Sequence, residues 1–140
     1  MTSAAQTPLL SRKIPKSGES IAAIGLGTWQ SFDISGRGAE RASAKEALEA
    51  LVAGGARLVD SSPMYGASES IVGELAVEAG LAAQLFVATK VWTQGRAAGI
   101  RQMESSIAKM LPGPDGTKRP LDLMQVHNLV DVATHLATLR

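Results

Sequence analysis

Short apolar runs alternate along the chain with segments of helical periodicity. The runs are typical of strands, and they lie at residues 25–29, 57–60, 85–90 and 121–127. The periodic segments predict helices at residues 43–53, 68–79 and 97–111, with a fourth that begins at residue 131. In the first helix an apolar face recurs at the i, i+3, i+4 and i+7 positions, formed by Ala44, Ala47, Leu48 and Leu51.

Local signals set the expected boundaries. Ser43-Ala44-Lys45-Glu46 has the form of a capping box and predicts a helix that begins at Ser43, and Gly54-Gly55 predicts its end. Nearer the N-terminus, two apolar segments flank the turn-like residues 16–19 and predict a β-hairpin. Residues 1–8 are expected to form a flexible tail, and residues 9–140 a single structural unit.

The alternation of strands and helices predicts the fold class. The units recur at roughly 30-residue intervals, which is typical of βαβ units and a parallel sheet. The strands are mostly apolar, as expected where helices cover both faces of the sheet. The sequence therefore predicts an α/β protein, with an open doubly wound sheet and a barrel as the remaining alternatives.

Composition narrows the function classes. The 140 residues are 45% hydrophobic and 19% charged, which fits one globular domain, and a net charge of +1 gives no electrostatic reason to expect nucleic acid as a partner. No apolar run approaches the ~20 residues that cross a bilayer, so no membrane partner is expected. The absence of cysteine excludes disulfides and thiolate zinc sites, and two histidines are too few for a polyhistidine metal centre. A cytoplasmic location is expected.

Three residues with chemically useful side chains share one position in their repeats. Asp60, Lys90 and His127 each lie at the C-terminal end of a predicted strand. Tyr65, the only tyrosine, follows the first of these strands in the next loop. Because the C-terminal ends of parallel strands open on one face, these four side chains are expected to converge there. Each alone has a structural alternative: a helix cap for Asp60, a solvated surface position for Lys90 and a hydrogen-bonding role for His127.

The four side chains suit proton donation to an oxygen. A phenol is a weak acid at neutral pH, and a nearby ammonium favours the phenolate that remains after the phenol donates its proton. A carboxylate would hold the ammonium in place, and an imidazole could orient a carbonyl oxygen that gains charge. The set contains no strong nucleophile and no carboxylate pair for glycoside hydrolysis. Protonation of an oxygen without a nucleophile points to hydride delivery by a cofactor.

Four motifs resemble, in order and spacing, those of the aldo-keto reductases: "GLGTWQ" (25–30), "LVDSSPMYGASES" (58–70), "VATKVW" (87–92) and "LDLMQVHN" (121–128). The resemblance runs from about residue 9 to residue 140. It implies a (β/α)8 TIM barrel with an N-terminal hairpin closing its bottom. It also implies reduction of a small aldehyde or ketone with NADPH, with NADH as the alternative cofactor.

The resemblance assigns roles to individual residues. It implies a catalytic tetrad in which Tyr65 is the general acid, Lys90 and Asp60 tune it, and His127 orients the carbonyl. The implied cofactor-binding residues, at the nicotinamide end, are Gly27, Thr28, Trp29 and Asp60. The implied substrate-binding residues are Trp29, Trp92, His127 and Asn128. No metal site is expected.

Two other nicotinamide-binding patterns do not fit the chain. A Rossmann phosphate loop would need a third glycine after Gly25 and Gly27, where Gln30 stands. The Tyr-x-x-x-Lys pair of short-chain dehydrogenases fails because Glu69 occupies the lysine position.

The chain has too few repeats for a complete barrel. A (β/α)8 barrel takes about 250 residues, whereas four strands are predicted in these 140 residues. In the family the later strands supply most of the cofactor contacts, so the resemblance implies the N-terminal half of a reductase, inactive alone. The alternative is a non-catalytic half-barrel module that pairs with a complementary half or with itself.

Overall fold

The computed structural model describes residues 9–35, 38–113 and 119–140; the predicted tail lies outside these ranges. Its strands are β1 (Ser11–Lys13), β2 (Ser20–Ala22), β3 (Gly25–Gly27), β4 (Leu58–Asp60), β5 (Phe86–Val91) and β6 (Leu123–Val126). Its helices are α1 (Ala39–Ala53), α2 (Ser68–Glu78), α3 (Arg96–Met110) and α4 (Val132–Thr138), and a 3-10 turn, His127–Leu129, follows β6.

The central sheet contains four parallel strands in the order β3-β4-β5-β6. The predicted α/β class is confirmed, as is the match to the first βα units of a barrel. Spatial order follows chain order without a reversal, whereas a doubly wound sheet reverses direction at a switch point. The described strands form an arc of a barrel that does not close.

The predicted hairpin is present and lies at the N-terminal end of the sheet. β1 and β2 pair antiparallel, with Arg12 opposite Ile21. Arg57, which immediately precedes β4, donates a hydrogen bond from Nη2 to Glu19 Oε1 at 2.9 Å, just before β2. The hairpin therefore covers the end of the sheet opposite the C-terminal strand ends.

Helix α1 begins earlier than the sequence predicts. It starts at Ala39 after Gly38, with no side-chain cap, so the predicted capping box at Ser43 is wrong and Ser43 lies inside the helix. The residues before Ser43 are mostly good helix formers. Among them Arg41 forms ion pairs with Glu74 and Glu78 of α2, which join the additional turn to that helix.

The hydrophobic core lies between the sheet and the helices that follow its strands. It unites side chains from α1, β4, α2 and β5, among them Leu48, Val59, Val72, Leu75 and Val87. This packing fixes β4 and β5 relative to each other, and these two strands end beside the predicted site.

Gly73 lets α2 approach α3 closely. A Cβ at position 73 would lie 1.9 Å from the backbone oxygen of Lys109. We expect Gly73→Ala to lower the free energy of unfolding by about 1–3 kcal/mol, because the helices must move apart. Val77→Ala, at an exposed position of the same helix, is the matched control and should change stability by less than about 0.5 kcal/mol. Urea unfolding measures both, and equal stability of the two variants would contradict the close approach.

Within the described ranges, no helix combines the length and the apolarity that crossing a bilayer requires.

Candidate active site

Asp60 and Lys90 form an ion pair where β4 and β5 end. The Lys90 ammonium donates to Asp60 Oδ2 at 2.6 Å and to the Ser61 carbonyl oxygen at 2.7 Å. The Lys90 side chain is only 11% exposed, so water screens this pair less than a surface pair. Two acceptors thus hold the ammonium in one position.

Gln125 binds the other oxygen of the same carboxylate. Its Nε2 donates to Asp60 Oδ1 at 2.8 Å. Gln125 is not among the site residues predicted from the sequence, although a signal existed: it lies two positions before His127, and alternate residues of a strand face the same side. The Asp60 carboxylate therefore accepts hydrogen bonds from Lys90 on β5 and Gln125 on β6. It does not serve as the helix cap considered from the sequence.

Tyr65 lies between Lys90 and His127. A tight turn places it, since the Tyr65 amide donates to the Ser62 carbonyl oxygen at 3.0 Å and the Ser68 amide donates to the Tyr65 carbonyl oxygen at 3.0 Å. Lys90 Nζ is 5.2 Å from the centre of the phenol ring. The His127 ring meets the phenol edge-on, with a centroid distance of 5.6 Å. The structure thus brings all four predicted side chains together.

His127 follows β6 in the short 3-10 turn. Its Nδ1 lies 2.7 Å from Ser62 Oγ, a second contact that the sequence analysis missed. Burial lowers the pKa of His127 below the ordinary 6.5, and the nearby Lys90 charge lowers it further, while Asp60 opposes both. The imidazole is therefore neutral at pH 7.

Removing the Lys90 charge should raise the pKa of His127. In Lys90→Met the repelling ammonium is gone, and the Asp60 carboxylate that favours the imidazolium remains. An NMR titration of the imidazole should show His127 protonated at higher pH in this variant than in the wild type. Lys45→Met, on helix α1, is the control and should leave the pKa of His127 unchanged. A His127 curve that did not move in Lys90→Met would contradict the assigned cause.

Buried side chains behind the site hold β5. Glu69 of α2 is 1% exposed, and its Oε1 accepts a hydrogen bond from Thr89 Oγ1 at 2.6 Å. Thr89 immediately precedes Lys90, so this bond ties the strand that carries the ammonium to the helix that follows Tyr65.

Thr28 connects β3 to the Asp60 segment. It is fully buried, with Oγ1 at 3.1 Å from the Asp60 carbonyl oxygen and 2.9 Å from Ser61 Oγ, and its amide donates to the same carbonyl at 3.1 Å. In the structure, the Thr28 side chain therefore supports Asp60. A contact with a cofactor stays a prediction for this residue.

Gly27 and Asp60 lie side by side at the C-terminal ends of β3 and β4. The two residues pair in register across β3 and β4, and a Cβ placed on Gly27 would meet nothing within 4 Å. The Asp60 side chain is 35% exposed beside this space. A contact with a cofactor stays a prediction for both residues.

The two tryptophans have different surroundings in the structure. Trp92 follows β5, with its ring centre 6.4 Å from that of His127. Trp29 is 65% exposed and has no aromatic partner in the described part of the chain. Asn128 adopts a left-handed backbone conformation (φ 52°), and its Nδ2 lies 4.0 Å from the Met64 sulfur, beside Tyr65. Trp92 and Asn128 thus border the tetrad, whereas Trp29 has no described contact with it.

In the described ranges, no group of three or more histidine or acidic side chains could hold a metal ion.

Comparison with known proteins gives one family. The sequence model described as "Aldo/keto reductase family" matches residues 23–138. No curated protein matches the chain.

Solved structures give the same result. An aldo-keto reductase of Klebsiella pneumoniae in complex with NADPH is 27% identical with a TM-score of 0.66, over 85% of this chain and 40% of that one. A Klebsiella pneumoniae reductase with NADP and acetate is 28% identical (TM-score 0.62), over 78% of this chain and 36% of that one. A Brucella melitensis reductase is 26% identical (TM-score 0.63), over 89% and 42%. The chain spans less than half the length of these three proteins.

Proposed function

The chain belongs to the aldo/keto reductase family, and on that premise we propose that its tetrad reduces the carbonyl group of an aldehyde or ketone. The observation that carries this proposal is the Lys90 ammonium, held by Asp60 Oδ2 and the Ser61 carbonyl 5.2 Å from the Tyr65 ring. A fixed positive charge beside a phenol is what a phenolic proton donor needs.

The chemistry follows from these positions. When bound, NADPH supplies the hydride that adds to the carbonyl carbon. Tyr65 gives its proton to the carbonyl oxygen, so that an alcohol forms. The Lys90 ammonium stabilises the phenolate that remains, and Asp60 keeps that ammonium in place. His127, neutral at pH 7, orients the carbonyl oxygen through a hydrogen bond, with Trp92 and Asn128 beside the substrate.

We assign the nicotinamide end of the cofactor to Gly27, Thr28, Trp29 and Asp60. The proposed cofactor is NADPH, with NADH as the alternative, and the NADP and NADPH complexes of the Klebsiella pneumoniae reductases support this choice. The remaining cofactor contacts belong, in this proposal, to a second half of the barrel. The substrate is a small carbonyl compound, and the place of action is the cytoplasm.

A second candidate function is that of a non-catalytic half-barrel module. Its support is the sheet itself, because β3 and β6 each have a hydrogen-bonded neighbour on one side only among the described strands. Open strand edges favour pairing with further strands. A complementary half, or a second copy of the chain, would supply them.

Three measurements separate these functions. We define the complete barrel as this chain joined to the second half of the Klebsiella pneumoniae reductase whose structure contains NADPH. The first function predicts aldehyde-dependent oxidation of NADPH by the complete barrel and weak NADPH binding, measured by fluorescence titration, by the chain alone. Tight NADPH binding by the chain alone would contradict the proposed division of the cofactor site. The second function predicts self-association in sedimentation, and a cooperatively folding monomer would count against it.

A further inference from the structure

We propose that Ser62 is a positioning residue that fixes the tautomer of His127, with the proton on Nε2 and the lone pair on Nδ1. The tautomer assignment stands on contacts within the chain. Its consequence for catalysis rests on the proposed carbonyl reduction.

The Ser62 side chain is fully buried, so its hydroxyl proton must find an acceptor inside the protein. Two groups lie within hydrogen-bond distance of Ser62 Oγ among the described residues: the Met64 amide at 3.1 Å and His127 Nδ1 at 2.7 Å.

Only one of these two groups can accept the proton. The Met64 backbone N–H is a donor, and it occupies a lone pair of the hydroxyl oxygen. The hydroxyl proton is therefore directed to His127 Nδ1, which must be unprotonated to accept it. In a neutral imidazole the ring proton then resides on Nε2.

The Met64 contact also fixes the direction of the hydroxyl group. A serine side chain that bonds to the amide two residues later forms a compact local turn. Pro63 stands between the two residues, and its ring restricts the backbone of this turn. Ser62 Oγ thus has little freedom to move away from His127.

The tautomer matters for a carbonyl substrate. With the proton on Nε2, His127 can donate a hydrogen bond to the carbonyl oxygen as that oxygen gains charge. In the opposite tautomer, Nε2 would present a lone pair to this oxygen and repel it. The burial and neighbouring charge that keep the ring neutral leave it with these two alternatives.

The second histidine provides an internal reference. His135 is fully buried, and its Nε2 lies 2.8 Å from the Thr93 carbonyl oxygen. A carbonyl oxygen only accepts, so His135 also carries its proton on Nε2. Both histidines are therefore expected to carry a proton on Nε2. In His127 the reason is the Ser62 hydroxyl that donates to Nδ1, and in His135 it is the Thr93 carbonyl oxygen that accepts from Nε2.

The direct test is ¹⁵N NMR of the imidazole nitrogens at pH 7.5 on the labelled wild-type chain. We expect both histidines to show a protonated Nε2, and His127 to show an unprotonated Nδ1. A His127 proton on Nδ1 would overturn the proposal without any substitution.

Two substitutions test the role of the hydroxyl. Ser62→Ala should give His127 nitrogen shifts averaged between the tautomers while those of His135 stay in place, and Ser62→Thr, which keeps a hydroxyl, should retain the wild-type pattern. Ser106→Ala removes another buried hydroxyl, on α3, and should leave the His127 pattern unchanged. A wild-type pattern in Ser62→Ala would refute the role of Ser62.

Kinetics of the complete barrel provide the second readout. Ser62→Ala should lower kcat in proportion to the fraction of His127 that leaves the Nε2–H tautomer, about twofold if the two tautomers are equally populated, and Ser62→Thr should restore part of it. The NMR result does not require turnover. An Nε2–H tautomer in a barrel that reduces no carbonyl compound would therefore refute the proposed function and leave the tautomer assignment intact.

Discussion

Tyr65→Phe is expected to lower the rate of carbonyl reduction by the complete barrel about 10²–10⁴-fold, the range that general acid catalysis contributes. Phenylalanine removes the proton donor and keeps the ring that meets His127 edge-on. The packing of the loop, and with it the positions of the neighbouring side chains, should therefore survive.

The affinity for NADPH separates loss of the proton donor from loss of structure. Tyr65 is not among the proposed cofactor contacts, so the Kd of NADPH in Tyr65→Phe should stay within about twofold of the wild-type value, well under 1 kcal/mol. Stopped-flow or steady-state absorbance of NADPH measures the rate, and fluorescence titration measures the Kd. Reduction that persisted at the wild-type rate would mean that another group donates the proton.

Lys90→Met is expected to have the second largest effect, a loss of about 10²–10³-fold in kcat, as found when one stabilising group is removed from a developing charge. The ammonium 5.2 Å from the phenol ring is absent in this variant, so nothing stabilises the phenolate at that side. The Asp60 carboxylate would lose the partner at 2.6 Å and retain Gln125.

Lys90→Arg tests whether charge alone suffices. The ammonium donates to Asp60 Oδ2 and to the Ser61 carbonyl from one compact centre, whereas the guanidinium is a planar fork of different reach. We expect Lys90→Arg to recover only part of the activity lost in Lys90→Met, measured as kcat in the same barrel. Wild-type kcat in Lys90→Met would show that the phenol does not depend on this charge.

The convergence of the tetrad could be predicted from the sequence because it depends on topology alone. Asp60, Lys90 and His127 lie at the C-terminal ends of separate parallel strands, and such strand ends lie at the same end of a sheet in any order that keeps the strands parallel. The pattern of strands and helices alone left an open sheet and a barrel as alternatives, because it predicts the number of strands and not their spatial order. The resemblance to the aldo-keto reductases implied the barrel, and the strand order agrees with it.

The contacts of Gln125 and Ser62 show what the sequence does not specify. Each depends on the direction of a single side chain. The Gln125 amide on β6 reaches Asp60 on β4 across β5, and the Ser62 hydroxyl is fixed by a turn. The start of α1 differs for another reason, because the helix-forming residues before Ser43 extend the helix past the predicted capping box. Arg41, one of these residues, also pairs with a distant helix.

We propose that four side chains of this chain act together as one proton-donating unit. The most direct measurement compares kcat for aldehyde reduction in the complete barrel between Tyr65→Phe and a quadruple variant with Asp60→Asn, Tyr65→Phe, Lys90→Met and His127→Gln. When residues act as a unit, removing one of them already removes most of the rate enhancement of the whole set. The kcat of the quadruple variant should therefore lie within about tenfold of the kcat of Tyr65→Phe alone. A loss equal to the product of the four single losses would contradict the account.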